Sequence, residues 1–130
     1  MPLQTAQANA VIDAIVNGST FPSWGSTTFA ALWSTTLTLA DTSAATGEVT
    51  GGSYVRQVAS FGAAANGAAA NDAAIEFTTM PATTVYSVSL HTSSSAGGAL
   101  IWQTTLGSSK SVTAGDTVRF AIGALTATST

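Results

Sequence analysis

Apolar and polar positions follow two different periods along this chain, and the period changes near residue 18. In the first segment the apolar residues recur at helical spacing, on the face opposite Gln7, Asn9 and Asp13. The pair Asn17-Gly18 is a natural helix stop, because both residues tolerate the left-handed conformation. We therefore predict a helical segment over residues 1–18 and a single β-domain over residues 19–130.

The apolar face of this predicted helix contains Val11, Ile12 and Ile15. A short helix at the end of a β-domain either packs on its own sheet or docks on a neighbouring subunit, and the pattern is consistent with both. These three residues are therefore candidates for an interface with another subunit or virion protein.

After a Pro/Gly/Ser loop the chain reads as about eight short strands at roughly ten-residue spacing. We expect a long first strand from Thr28 to Leu39, apolar on both faces around Trp33 and therefore covered on both faces. Later runs alternate, with inward positions predicted at Ile75, Phe77, Val118, Phe120 and Ile122. In the run "TVYSVSLHT", Tyr86, Val88 and Leu90 share the face opposite Ser87, Ser89 and His91. This pattern is typical of an all-β, antiparallel, jelly-roll-like β-sandwich.

The stretch "GAAANGAAANDAA" is rich in alanine, which favours helices. Glycine and asparagine interrupt it every few residues, so we interpret it as a hairpin region of small residues.

Charged residues make up only 7% of the chain, against about 25% in ordinary soluble domains. A well-solvated surface normally carries more charge of both signs, so we expect much of this surface to be covered by other protein. The formal net charge is −3, with only 3 basic residues. That shortage argues against nucleic acid and against anionic membrane surfaces as partners.

The sequence also lacks the features of membrane-spanning, secreted, disulfide-bonded and metal-binding proteins. No apolar run approaches the ~20 residues of a membrane span, and the start lacks the basic residues of a secretory signal. With no cysteine, a disulfide or a thiolate metal site is ruled out. We expect neither a metal nor a cofactor.

Catalytic chemistry is also sparse. His91 is the only histidine, no "GxSxG" motif is present, and the acidic residues are scattered singly. Because His91 lies at a strand end on the face of Ser87 and Ser89, we expect it to be exposed or at an interface. Asp41 and Asp116 are interpreted as turn formers, since Asp bonds its own downstream backbone. We predict that the protein is not an enzyme.

The segment "TGEVTGGSYVRQVASFG" raises a choice between an anion-binding loop and a structural corner. Gly51 and Gly52 precede strand formers rather than a helix, with no lysine nearby, which favours a turn or bulge. Glu48 and Arg56 flank this corner and are predicted to pair across it. The residues assigned to this corner and to the later Gly-Asp turn are Glu48, Gly51, Gly52, Tyr54, Arg56, Gly115, Asp116 and Arg119.

The ordered motifs "GEVTGGSYVRQ", "GGALIWQTTL" and "AGDTVRFAIGALT" resemble those of small structural proteins of tailed bacteriophages. Proteins of this kind are called tail fibre proteins or act as capsid decoration proteins. The resemblance covers about residues 8 to 128 and implies a virion component, made in the host bacterial cytoplasm, that forms a homotrimer.

The absence of a shaft repeat favours a trimeric capsid decoration or cement knob over a long fibre. The expected partners are sibling copies and the major capsid or tail proteins. The alternative is a tail fibre or receptor-binding tip that holds a host surface glycan, with Trp24 as an exposed aromatic platform. Trp24 and Trp33 join the helix as candidate subunit contacts, because aromatic anchors dominate interfaces.

Overall fold

The structure is a computed structural model that describes residues 1–20, 27–42, 44–95 and 98–129. These residues form one helix, α1 (Thr5–Val16), and eight strands. The strands are β1 (Thr28–Trp33), β2 (Gln57–Ala59), β3 (Ala68–Ala70), β4 (Ile75–Phe77), β5 (Thr83–His91), β6 (Leu100–Val112), β7 (Val118–Phe120) and β8 (Thr126–Thr128). The prediction of an all-β chain with a short N-terminal helix is confirmed.

Every strand pair is antiparallel. The largest sheet has the order β2-β1-β5-β6, and two-stranded ribbons form from β3 with β8 and from β4 with β7. One hydrophobic core joins the four-stranded sheet to the β4-β7 ribbon, which is the two-layer arrangement of a sandwich. Jelly-roll connectivity stays a prediction.

The core has an aromatic centre at Phe77. Its ring is stacked on Tyr54 at 5.7 Å and meets Phe120 edge-on at 6.5 Å, centroid to centroid. Ile75 and Phe77 are buried while Glu76 between them is exposed, as the alternation predicted.

Both faces of the central strands are covered. Ala30 to Trp33 are all buried in β1, which confirms the prediction drawn from its two apolar faces. In β5, however, the polar residues Ser87, Ser89 and His91 are buried as well. The expectation that His91 is exposed or at an interface was therefore wrong.

Two predicted elements were also wrong. The first strand ends at Trp33 rather than Leu39, because the chain bends at residues 34 and 35 and the Asp41 amide then closes a turn on the Thr38 carbonyl. Ile122 is exposed rather than inward, since it lies in a turn closed by the Ala124 amide on the Ala121 carbonyl.

The small-residue region forms a hairpin tip, as predicted. Asn66 and Gly67 both have positive φ, at 53° and 77°, and Ala65 bridges Ala68 across the turn. Two consecutive positive φ angles are the signature of a type I′ turn, and Asn-Gly is its preferred sequence.

Candidate interaction surfaces

The chain is attached to β6 just before the helix begins. Leu3 bridges Trp102, and the Gln4 amide donates to the Ile101 carbonyl at 2.8 Å, beside β6. The Gln4 side-chain amide donates to the carbonyls of Thr38 and Asp41, both at 2.8 Å. Residues 3 and 4 thus hold α1 at the Leu100 end of β6.

No residue of α1 itself is buried. Ile12 is 55% exposed, and Ile15 and Val16 are each 67% exposed, while Val11 is half-buried. A helix of 12 residues is marginal in water on its own, and most helices are stabilised by packing an apolar face. Among the described residues, Ile12 and Ile15 have little to pack against.

The ends of α1 add little stability. Gln4, at the cap position, makes no side-chain capping bond, no acidic residue lies in the first turn, and no basic residue lies in the last. Between the two interpretations of this helix, the exposure of its apolar face favours docking on another protein.

The corner before β2 depends on Gly51 and Gly52, whose φ angles are 103° and 55°. A Cβ at Gly52 would lie 2.7 Å from the Thr79 carbonyl oxygen and 2.9 Å from the Pro81 nitrogen. The Ser53 amide donates to that same Thr79 carbonyl at 3.0 Å. The corner therefore needs glycine for both its backbone angle and its close packing.

Arg56 forms a bidentate pair with Glu48 next to this corner. Its Nε donates to Glu48 Oε1 and its Nη2 to Glu48 Oε2, each at 2.8 Å. Its Nη1 also donates to the carbonyls of Ser93 and Ser95, both at 3.0 Å. Arg56 thus ties the loop between β5 and β6 to the corner.

Tyr54 extends the same network into the sheet. Its hydroxyl donates to Glu48 Oε1 at 3.0 Å and accepts the Leu32 amide at 2.9 Å.

Burial by itself raises the pKa of Glu48, but the bonds from Arg56 outweigh it, so the pKa lies below its usual value. Burial raises the pKa of Tyr54 strongly. Glu48 and Tyr54 therefore keep fixed protonation states at neutral pH.

A second buried network joins β1 to β5. Trp33 Nε1 donates to Ser89 Oγ at 2.6 Å, Ser89 Oγ lies 2.7 Å from His91 Nε2, and the Trp33 and His91 rings are stacked at 6.0 Å. Burial lowers the pKa of His91 to about 4, so the ring is neutral at pH 7. His91 Nδ1 has no hydrogen-bond partner among the described residues.

The burial of Trp33 corrects the expectation that it is a subunit contact. Trp33 is only 1% exposed, so it belongs to the interior rather than to a subunit interface. Ser89 and His91 are within hydrogen-bond distance but both are 0% exposed, so a substrate cannot reach them.

The Gly-Asp turn lies after β6. Asp116 Oδ2 accepts the Thr113 amide at 3.0 Å and the Thr113 hydroxyl at 2.7 Å, while Gly115 has a φ of 90°. The bond from the Thr113 hydroxyl lowers the pKa of Asp116.

Arg119 Nε donates to Glu76 Oε1 at 3.0 Å, and the two residues are directly opposite in the β4-β7 ribbon.

A groove that the sequence did not reveal lies between the end of β6 and β7. Val85 pairs with Lys110 and Ser87 with Thr105, so the single residue 86 of β5 faces the four residues 106–109 of β6. A groove of about 510 Å³ lies at this irregularity in the β5-β6 pairing. Its lining residues are Val85, Leu106, Gly107, Ser108, Ser109, Lys110, Val118, Arg119 and Phe120.

Trp24, the proposed aromatic platform, lies outside the described residues.

Within the described residues, no helix has the length and hydropathy to cross a membrane. No group of three or more His, Cys, Asp or Glu side chains in that part of the chain is placed to hold a metal ion.

Residues 2–128 match the protein family described as "Podophage GP4 fiber I protein gp80", which is nearly the whole chain. No curated protein matches the sequence.

Proposed function

The chain belongs to the family of podophage GP4 fiber I protein gp80, a family of phage structural proteins, and we propose that it is a non-enzymatic structural subunit of the fibre apparatus in a podophage virion. In this role it is built into the particle and works by contact with neighbouring virion proteins.

The observation that carries this proposal is the exposed apolar face of α1. Ile12, Ile15 and Val16 are exposed on a helix in which no residue is fully buried. Burying apolar surface contributes roughly 25 cal/mol per Å², so covering these side chains with a neighbour favours assembly. Only 7% of the residues are charged, so few charged side chains would lose contact with water when a neighbour covers this protein's surface.

A non-enzymatic role is supported by the buried state of the polar groups that could do chemistry. Ser89 and His91 lie inside the sheet, and the Glu48 carboxylate is held by Arg56 and Tyr54. The carboxylate and the hydroxyls of these two networks are hydrogen-bonded within the fold.

Homotrimeric association is part of the proposal. The trimer is what the family resemblance implies, and closed symmetry is the general expectation for homo-oligomers. A capsid decoration or cement knob is the second candidate, favoured by the single hydrophobic core that joins the sheet to the β4-β7 ribbon. A receptor-binding tip with Trp24 on a host glycan is a third, tested by glycan-array binding of the wild type and of Trp24→Ala.

The test is to locate the protein in purified particles with gold-labelled antibody. We expect label at the tail fibres; label on the head would favour the decoration knob, and absence from particles would refute the structural role. In phage carrying Ile12→Lys with Ile15→Lys, we expect incorporation to be lost. The matched control is Val55→Lys with Val58→Lys, because these side chains are exposed to a similar degree, at 60% and 59%, on and beside β2.

A further inference from the structure

The β6-β7 groove has an apolar floor and a basic rim. Val85 and Val118 are buried beneath it, with Leu106 and Phe120 partly buried beside them. Two of the chain's 3 basic residues, Lys110 and Arg119, line its edge. Its volume of about 510 Å³ is within the ~300–1,000 Å³ of typical binding sites. The groove therefore suits apolar side chains that are accompanied by a carboxylate.

Lys110 is the cation available at this rim. Its ammonium group makes no hydrogen bond or ion pair within the described residues, and its charge contributes to lowering the pKa of Asp116. Arg119 is already bonded through Nε to Glu76.

The exposed end of α1 carries the complementary chemistry. Asp13 is the only charged residue of the helix and lies in its last turn, between the exposed Ile12 and Val16. A negative charge at a helix C-terminus opposes the helix dipole, at a cost of about 0.3–1 kcal/mol. Its side chain accepts one bond, from Asn17 Nδ2 at 2.9 Å. A cation supplied from outside the helix would offset this cost.

A single chain does not bring the two surfaces together. The helix begins beside Ile101, at one end of β6, and the groove lies at Lys110, nine residues further along the strand. No residue of α1 lines the groove, and none is buried.

We propose that α1 of one copy docks in the β6-β7 groove of the next copy, with Ile12 and Val16 against the apolar floor and Asp13 beside Lys110. The contact is heterologous, because each copy gives a helix and receives one. Such a contact closes into a ring or continues as an open stack. The proposal rests on the proposed function in that both require the helix face to be covered in the assembly.

A charge swap tests the pairing. By sedimentation of the purified protein across a range of concentrations, wild type should associate. Asp13→Lys and Lys110→Glu should each weaken association about tenfold, since like charges then meet at the contact. The double variant should recover most of the loss. Asp13→Lys also suits the helix dipole, so a weaker assembly is not explained by a melted helix.

Filling the groove is an independent test. A Cβ at Gly107 meets nothing within 4 Å, so Gly107→Trp places a ring over the groove without displacing its neighbours. Gly107→Trp should abolish association, whereas Ala44→Trp, at an exposed turn outside the groove, should not. Circular dichroism and urea unfolding of each variant show whether it remains folded.

Three results would overturn the inference: a wild type that stays monomeric at all concentrations, full association of Gly107→Trp, or charge swaps without effect or without mutual rescue. Particle labelling separates this failure from that of the proposed function. A protein found on fibres whose charge variants still assemble would refute only the helix-in-groove contact.

Discussion

Arg56 and Arg119 allow the effect of burial on an ion pair to be measured within one small protein. Each guanidinium donates through Nε to a glutamate, at 2.8 Å for Arg56 with Glu48 and 3.0 Å for Arg119 with Glu76. The side chains of the first pair are 5% and 23% exposed, and those of the second 54% and 50%. The perturbation is the same in both, Arg→Ala.

The structure gives very different magnitudes for the two changes. Arg56→Ala removes four hydrogen bonds. It leaves the Glu48 carboxylate, which is 23% exposed, with the Tyr54 hydroxyl as its remaining donor, and it removes the Arg56 donor from the carbonyls of Ser93 and Ser95. Breaking a buried pair in this way costs about 3–5 kcal/mol. Arg119→Ala breaks a solvent-exposed pair and should cost about 0–1 kcal/mol. For a chain of this length the whole stability is of order 6–20 kcal/mol, so the first loss is large.

The assay is urea unfolding followed by tryptophan fluorescence and circular dichroism, with the slopes of the transitions compared. Arg56→Lys should lose most of what Arg56→Ala loses, because an ammonium cannot reproduce the fork that holds both Glu48 oxygens. Equal losses for Arg56→Ala and Arg119→Ala, or less than about 1 kcal/mol for Arg56→Ala, would refute the stabilising role of the network.

Two further predictions concern buried groups. The folded pKa of His91, about 4, lies below its ordinary 6.5, so the unfolded state binds the proton more readily and stability falls as pH falls through this window. Between pH 7 and pH 5 we expect a loss of about 2 kcal/mol in urea unfolding, and His91→Gln should lack that dependence; a wild type equally stable at both pH values would contradict it. Gly52→Ala should cost clearly more than Gly18→Ala, because both have positive φ, at 55° and 68°, but only Gly52 faces a backbone oxygen at 2.7 Å. Gly18→Ala should cost about 1 kcal/mol of strain, and equal thermal destabilisation of the two variants would remove the clash from the explanation.

The sequence predicted those features that depend on neighbouring residues. Asn17-Gly18 ends the helix, with Gly18 at a φ of 68°, and Asn66-Gly67 forms the hairpin tip. The turn at Asp116 follows from its bonds to Thr113, three residues away.

Features that depend on tertiary contacts were missed. Ser87, Ser89 and His91 alternate with apolar residues as an exposed face would, but they lie in an interior network in which the Leu37 amide donates to Ser87 Oγ and Trp33 to Ser89. Alternation alone does not tell a solvated polar face from a buried, hydrogen-bonded one.

The interaction surfaces were only partly foreseen. The apolar face of α1 was evident from helical spacing, but its exposure depends on where residues 3 and 4 attach to β6. The groove arises from a register shift between β5 and β6, for which Gly107 is the sole local sign. Pairing of Glu48 with Arg56 was anticipated, whereas the approach of the Ser93 and Ser95 carbonyls was not.

A cryo-electron microscopy reconstruction of the intact particle tests the central claim most directly. We predict density for this chain in the fibre apparatus, with the Ile12, Ile15 and Val16 face of α1 in contact with another polypeptide. A particle without this chain, or one in which that face of the helix meets only solvent, would contradict the account.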